Sequence, residues 1–297
     1  MKFLIILLNY NNWKDTIECV ESLQNSKVEN SNILVVDNCS IDDSYIQLKN
    51  RIPDVTFLKT ENNLGFSGGN NIGIRYGIEN NAEYIILLNN DTIVNKDSIK
   101  NLINEMEKRL DITLGTGQIR YYHDKNKIWY AGGKLIPWRG LAVHLNMDKD
   151  FRKIIHPNKP IEIDFISGCF MCIRTEHIKD LGLLNDKFFI YLEDIEYSAR
   201  AVNNNKKLMY VPNSIIYHKW RGETKLKYQT LYYAIRNRKL LINLVFPKYA
   251  KFYFNIVVLL KMVYWFLTDK ELFKAAQKGL SDYKKKYFGQ IKSIDKK

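Results

Sequence analysis

Short apolar runs alternate with stretches of helical spacing through the first hundred residues. Residues 3–8, 33–37, 55–58 and 84–88 are dominated by apolar side chains and end in polar turns, the pattern of strands buried on both faces of a parallel sheet. Between them, Trp13, Ile17, Val20 and Leu23 fall near helical spacing behind Asn12 or Asp15 as the cap. Asn70 is placed to cap a helix carrying Ile72, Ile74 and Ile78, and Asp97 or Ser98 to start one through Leu102, Ile103 and Met106. Strand–helix alternation of this kind predicts an α/β fold with a mostly parallel central sheet and helices on both sides.

The pattern changes at about residue 112. Gly115, Gly117, Gly132, Gly133 and Gly140, with aromatics such as Tyr121, Trp129 and Trp138 between them, predict strands and long loops. Residues 161–173 read as a strand region broken at Ser167-Gly168, followed by a short helix, a turn at Asn185-Asp186 and a helix from about Leu192. Lys207 to Pro212 is a strand, and Ser214 to His218 a further extended piece. Residues 226–246 form a basic, aromatic helix that stops at Pro247. Residues 249–268 are strongly apolar but interrupted by Lys251, Asn255 and Lys261, which argues against a membrane span. They fit either an interfacial helix, with Lys284-Lys285-Lys286 and the terminal lysines drawn to anionic lipid, or a helix packed on the domain or in a homodimer.

Composition narrows this picture modestly. A chain of 297 residues with 46% hydrophobic residues builds a proper core in one large domain or two small ones. A net charge of +13 suggests an anionic partner, yet the lysines cluster around no nucleic-acid-binding motif, so nucleic acid is excluded as partner. Cys19, Cys39, Cys169 and Cys172 make no disulfide framework, and Cys169-x-x-Cys172 has no second pair to complete a zinc site. The apolar N-terminal run lacks a following cleavage site and reads as the first strand of a cytoplasmic protein.

Chemistry gathers where the runs end. Asn9-Tyr10-Asn11 follows the first strand, Asp37-Asn38-Cys39-Ser40 the second, residues 62–71 the third and Asn89-Asn90-Asp91 the fourth. Ligands of open α/β sheets bind outside the carboxyl ends of strands, so these segments would line one crevice. Asp91 there is either a cation ligand or an ordinary turn residue. Glu193-Asp194 opens a later helix, where acids also complement the helix dipole.

Taken in order, Leu8-Asn9-Tyr10-Asn11, Val35-Val36-Asp37-Asn38-Cys39-Ser40, Asn63-Leu64-Gly65-Phe66-Ser67-Gly68-Gly69-Asn70, Leu88-Asn89-Asn90-Asp91-Thr92, Ser167-Gly168-Cys169, Phe188 to Asp194 and Tyr217-His218 resemble the inverting glycosyltransferases of family 2, in the bacterial rhamnosyltransferase-like branch. The resemblance runs from Leu7 to about Arg238. It implies the GT-A (nucleotide-diphospho-sugar transferase) fold, with residues 1–110 as the nucleotide-sugar half, 111–225 as the acceptor-binding and catalytic half, and 226–297 as a helical extension that associates with a membrane or a second copy. By the same resemblance Tyr10 stacks on uracil or thymine, and Asp37 accepts the pyrimidine N3–H, which cytosine lacks. Asn9, Asn11, Gly68, Gly69, Asn70, Asn89 and Asn90 contact the donor nucleotide sugar. Asp91 and His218 hold Mg²⁺ or Mn²⁺, Asp194 is the general base and Glu193 orients it or the acceptor. Arg236-Asn237-Arg238 would face diphosphate or membrane phosphates.

The expected activity is transfer of a hexose or deoxyhexose from a UDP- or dTDP-sugar to a glycan acceptor, lipid-linked at the inner membrane face, in surface polysaccharide or glycoconjugate synthesis. One alternative is a nucleotidyltransferase that makes sugar nucleotides, although Asn9-Tyr10-Asn11-Asn12 offers no triphosphate loop. Another is a catalytically silent glycan- or membrane-binding protein on this scaffold, against which Asp91, Glu193, Asp194 and His218 all speak.

Overall fold

The apolar runs become the centre of one sheet. A computed structural model describes residues 2–26, 30–155, 157–220 and 228–291. Strands β1 (Phe3–Asn9), β2 (Ser31–Asp37), β3 (Thr56–Lys59) and β4 (Tyr84–Asn89) alternate with helices α1 (Trp13–Asn25), α2 (Ser44–Arg51) and α3 (Gly65–Glu79). They pair in parallel in the order β3-β2-β1-β4. Leu4, Ile5, Ile6 and Leu7 in β1 and Ile85 and Ile86 in β4 are sealed from solvent, each worth about 1.5–3 kcal/mol of burial. The chain order reverses at β1, so a crevice opens beside its carboxyl end.

The second half extends the same sheet. β5 (Thr92–Val94) and α4 (Ser98–Lys108) lead into β6 (Ile112–Tyr121), β7 (Ile128–Tyr130) and the separate hairpin β8 (Gly133–Ile136) and β9 (Leu141–His144). β10 (Ile161–Ile163), β11 (Phe170–Arg174), α5 (Ile178–Leu181), α6 (Glu193–Asn203) and β12 (Lys207–His218) follow. β11 lies antiparallel between β4 and β6, and β12 runs parallel to β6 and antiparallel to β5 and β10. Helices α7 (Tyr228–Val245), α8 (Lys248–Thr268) and α9 (Lys270–Lys284) pack on one another as a C-terminal layer. The proposed boundary at residue 226 and the terminal lysines, Lys296 and Lys297, lie outside the described residues.

Three expectations need correction. Residues 65–69 are the first turns of α3 rather than a loop, so Asn70 lies inside the helix instead of capping it. Gly115 and Gly117 do not break β6, a ten-residue strand; a Cβ on Gly117 would lie 2.2 Å from the Ser214 carbonyl oxygen, so the glycine admits β12. The two extended pieces around Asn213 are one strand, β12, whose register shifts between Val211 and Ile215.

Candidate active site

The crevice is built from the ends of strands. Leu8, Phe66, Asn70, Leu88, Asn89, Asn90 and Asp91 line a cavity of about 190 Å³. A larger cavity of about 630 Å³ lies at the other end of β4, around Tyr84, Arg174 and Glu176. Its buried guanidinium is spent on structure: Arg174 donates to the Ile112, Met106 and Arg109 carbonyls and to the Tyr84 hydroxyl. The smaller crevice is therefore the one with uncommitted chemistry.

Asp91 follows β4 and meets His218 because of sheet register. Thr92 pairs with His218 across β5 and β12, which sets His218 Nε2 3.2 Å from Asp91 Oδ1. Both Asp91 Oδ1 and His218 Nδ1 are buried, and beyond this ion pair Asp91 Oδ1 meets no hydrogen-bond donor among the described residues. A buried carboxylate oxygen beside an imidazole makes, once the ring is neutral, a donor set suited to a divalent cation. Those ligands need completion from outside, since no cluster of three His, Cys, Asp or Glu that could hold a metal occurs among the described residues. Burial works against charge on the His218 ring, but Cys169 and the Asp91 carboxylate outweigh it and lift the imidazole to about 10, so a cation bound here would have to displace the ring proton. The ring is held edge-on by Trp129, with centroids 4.9 Å apart, and His144 packs on Trp129 in turn. Sequence reading missed Trp129 and His144 as supports of His218; an aromatic beside a glycine-rich stretch was the available sign.

The other predicted nucleotide contacts divide into two groups. Tyr10 is 41% exposed at the rim, and Asn70 and Asn89 face the cavity. Asn90, also on its wall, donates to Thr16 Oγ1 at 2.7 Å. Asn11 is exposed, and its amide oxygen accepts from the Ile41 N–H at 2.9 Å, tying its turn to the one after β2. Asn9, in contrast, is sealed behind Asp37: it donates to Asp37 Oδ1 at 2.9 Å and accepts from Thr16 Oγ1 at 2.9 Å. Asp37 is fully buried as well, with Ser40 donating its hydroxyl to Oδ1 at 2.5 Å and its N–H to Oδ2 at 3.2 Å. Gly69 faces the sheet, where a Cβ would come within 2.4 Å of Leu8 Cδ1, and one on Gly68 would come within 2.7 Å of Leu64 Cβ. Gly69 lets α3 approach β1 and Gly68 makes room for Leu64 at the head of the helix, which explains their presence without a ligand.

Glu193 and Asp194 stand at the N-terminus of α6. Asp194 Oδ2 accepts the Gly168 N–H at 3.0 Å and Oδ1 its neighbour Ile195 N–H at 2.8 Å. Burial raises the Asp194 carboxyl above the ordinary range, and those N–H groups hold it back. Glu193 is pushed well up, by burial first and by the Asp194 charge second, and its Oε2 is buried without a partner among the described residues. Burial thus disfavours charge on both carboxyls, and of the two only Asp194 has backbone N–H donors from other residues to favour its charged form. The segment Ser167–Cys169 ties the acids to the strand end, because the Cys169 carbonyl accepts from the Asn89 N–H at 2.9 Å while Gly168 donates to Asp194.

The turn entering α6 is strained. Tyr191 and Leu192 both take left-handed conformations, with φ of 71° and 72°, each costing on the order of 1–3 kcal/mol. Asn237 of α7 holds the turn, donating to the Ile190 and Tyr191 carbonyls at 2.8 and 2.9 Å. Arg236 donates to Asn237 Oδ1 at 2.9 Å and to the Gly289 carbonyl at 2.7 Å, and is itself fully buried. The expectation that Arg236-Asn237-Arg238 faces phosphates is thus corrected for its first two residues, which buttress the acidic turn. Arg238 donates to the Arg139 carbonyl at 2.6 Å.

Comparison with known proteins adds the following. The family model described as Glycosyl transferase family 2 matches residues 4–182. The chain is 28% identical over 261 residues to the low-salt glycan biosynthesis hexosyltransferase Agl10 of Haloferax volcanii, covering 82% of this chain and 76% of that one. It is 23% identical over 274 residues to the dTDP-rhamnosyl transferase RfbF of Shigella flexneri, covering 88% and 85%. Among solved structures it is similar to GalNAc-T7 with UDP, GalNAc and Mn²⁺, at a TM-score of 0.60 and 19% identity, over 82% of this chain and 48% of that one. The chain thus spans about half the length of that protein, and the likeness shows a shared GT-A-type fold.

Proposed function

The chain belongs to glycosyl transferase family 2, and from that premise we propose an inverting, divalent-cation-dependent transfer of a hexose or deoxyhexose from a UDP- or dTDP-sugar to a hydroxyl group of a glycan. The observation that carries this reading is the Ser167–Cys169 segment, whose consecutive residues bond the Asn89 end of β4 and the Asp194 carboxylate. In this reading the strand end binds the cation and Asp194 is the base, and that one segment joins them.

In the proposed reaction the acceptor oxygen attacks the anomeric carbon as the bond to the diphosphate breaks, and its proton passes to Asp194. A base so placed contributes about 10²–10⁴-fold. Glu193 orients the acceptor or the base. Asp91 and His218 would hold Mg²⁺ or Mn²⁺, which would supply charge neutralisation for the leaving diphosphate. With one protein carboxylate in the set, donor phosphates supply much of the shell, as suits Mg²⁺. UDP beside Mn²⁺ in the GalNAc-T7 structure and the dTDP donor in the name of RfbF support this choice. Residues 1–110 form the donor half and 111–225 the acceptor half in this reading, with 226–297 as the extension. Tyr10 stacks on the base at the rim; Asp37 reaches the pyrimidine N3–H only when the Ser40 turn moves aside.

Thermal-shift titration with UDP-, dTDP- and GDP-sugars in Mn²⁺ tests the donor. A uracil or thymine nucleotide is expected to stabilise by about 2.7 kcal/mol at a hundredfold excess over Kd. Stabilisation by GDP-sugars alone would remove the role of Asp37.

Asn237 acts in this scheme as a positioning residue. Asn237→Ala is expected to cost about 1–3 kcal/mol of stability, the penalty of leaving two carbonyls unpaired, and to lower kcat with KM for the donor unchanged. Asn237→Asp keeps the shape but loses the N–H donors, so it should match the alanine variant. Full kcat in either, measured below its Tm, contradicts the role.

A further inference from the structure

One face of α8 has no partner among the described residues. The helix packs through Ala250, Phe254, Val258 and Trp265 onto α7 and α9. On the opposite side Phe252, Ile256, Leu259, Leu260, Val263 and Leu267 are all exposed. Their spacing places them on one face, and with Tyr249 the strip is about 27 Å long at 1.5 Å per residue. The polar residues that break the apolar sequence do not break this face. Asn255 is turned to Lys239, which donates to its side-chain oxygen, and Lys251 and Lys261 fall by helical spacing on the side of Phe254 and Trp265, with Lys261 over the Trp265 ring.

We propose that this face docks the enzyme onto an anionic lipid bilayer, lying in the plane of the surface. Charge complementarity selects that occupant. Residues 248–291 hold nine lysines against Asp269, Glu271 and Asp282, so the layer that carries the strip is strongly basic; Lys248, Lys251, Lys261 and Lys270 are all exposed, with Lys248 at the head of the strip. Each lysine near a negative leaflet adds roughly 1 kcal/mol of attraction. A two-fold dimer through the same face would instead bring the basic C-terminal layers of two copies together. A spanning arrangement fails on packing: the helix is long and apolar enough to cross a bilayer, but its Phe254 side is already covered by protein. The β8–β9 turn continues the surface. Trp138 there is 53% exposed and sits edge-on to Tyr253 of α8 at 5.0 Å, with Arg139 beside it. Tryptophan and arginine suit the headgroup level. Docking brings the acceptor half to the lipid surface, which suits a lipid-linked glycan acceptor, but it stands whether or not the sugar-transfer reading does.

Co-sedimentation of the full chain with vesicles of phosphatidylcholine alone, and of phosphatidylcholine with 30% phosphatidylglycerol, tests it. The protein is expected to bind the anionic vesicles, more weakly as salt rises. Replacing Lys248, Lys251 and Lys270 by Gln should weaken binding on the order of a hundred-fold, and Leu259→Glu with Val263→Glu should abolish it while UDP-sugar or dTDP-sugar binding persists. Quenching of tryptophan emission by brominated lipid should fall in Trp138→Phe. No binding by the unaltered chain, equal binding to neutral and anionic vesicles, or a concentration-dependent dimer that Leu259→Glu dissociates would each overturn the proposal.

Discussion

Asp194→Asn is expected to reduce sugar transfer by about 10²–10⁴-fold, the contribution of a positioned general base, while donor binding survives. The substitution removes the charge and the basic lone pair but keeps the shape at the head of α6. An asparagine oxygen still accepts from Gly168 or Ile195, now the partners of the carboxylate, so folding should suffer little. Transfer by stopped assay and donor affinity by calorimetry separate the two effects. The unaltered enzyme carries a linked signature in its pH profile. Burial raises the Asp194 carboxyl, and a base works only when deprotonated. Activity should therefore be full above this raised pKa and lost as pH falls through it, with the acid limb of kcat above the ordinary carboxylate range. A limb at the value of a free aspartate, or full transfer by Asp194→Asn, would remove Asp194 from the role of base.

Asp91→Asn is the second large expected effect: a loss of about 10²–10³ in kcat, the scale of removing one group that stabilises developing charge, together with loss of the Mn²⁺ dependence of donor binding. The amide that replaces the carboxylate can retain the contact with His218 Nε2, now 3.2 Å from Asp91 Oδ1, so the loss reports charge more than shape. Calorimetry gives the sharper readout. Because Asp91 is the only carboxylate beside His218 in the proposed cation set, Mn²⁺ should bind weakly to the enzyme alone and much more tightly once a nucleoside diphosphate is present. Tight Mn²⁺ binding without nucleotide, or an undiminished Mn²⁺ effect in Asp91→Asn, would show that the cation is held elsewhere.

The parallel half of the fold was legible because its signal is local. Runs ending at Asn9, Asp37 and Asn89 are apolar over consecutive positions, and α1 and α4 repeat at helical spacing. The candidate site was legible at the same strand ends, with Glu193-Asp194 and His218 added by resemblance. The glycines were the hardest to interpret: Gly69 and Gly117 have the same residue type as a ligand-cradling loop, yet one admits a helix to β1 and the other a strand to β6. Arg236 and Asn237 misled for a related reason. A charge run on a helix is ordinarily solvated, and only the packing of α7 beneath the Tyr191 turn makes it a buried buttress.

The sequence by itself determined where the first strands run, the polar ends that border the crevice and the apolar character of α8 between its few polar residues, since each depends on side chains a few positions apart. Tertiary structure decided which of them meet. The register of β5 on β12 brings Asp91 to His218 across more than a hundred residues, the Ser167–Cys169 turn binds Asp194 to β4, and packing on α7 and α9 chooses which face of α8 stays bare. Periodicity carries burial along one element, but the partner of a buried polar group is set by contacts between distant elements, and those exist only once the sheet has closed.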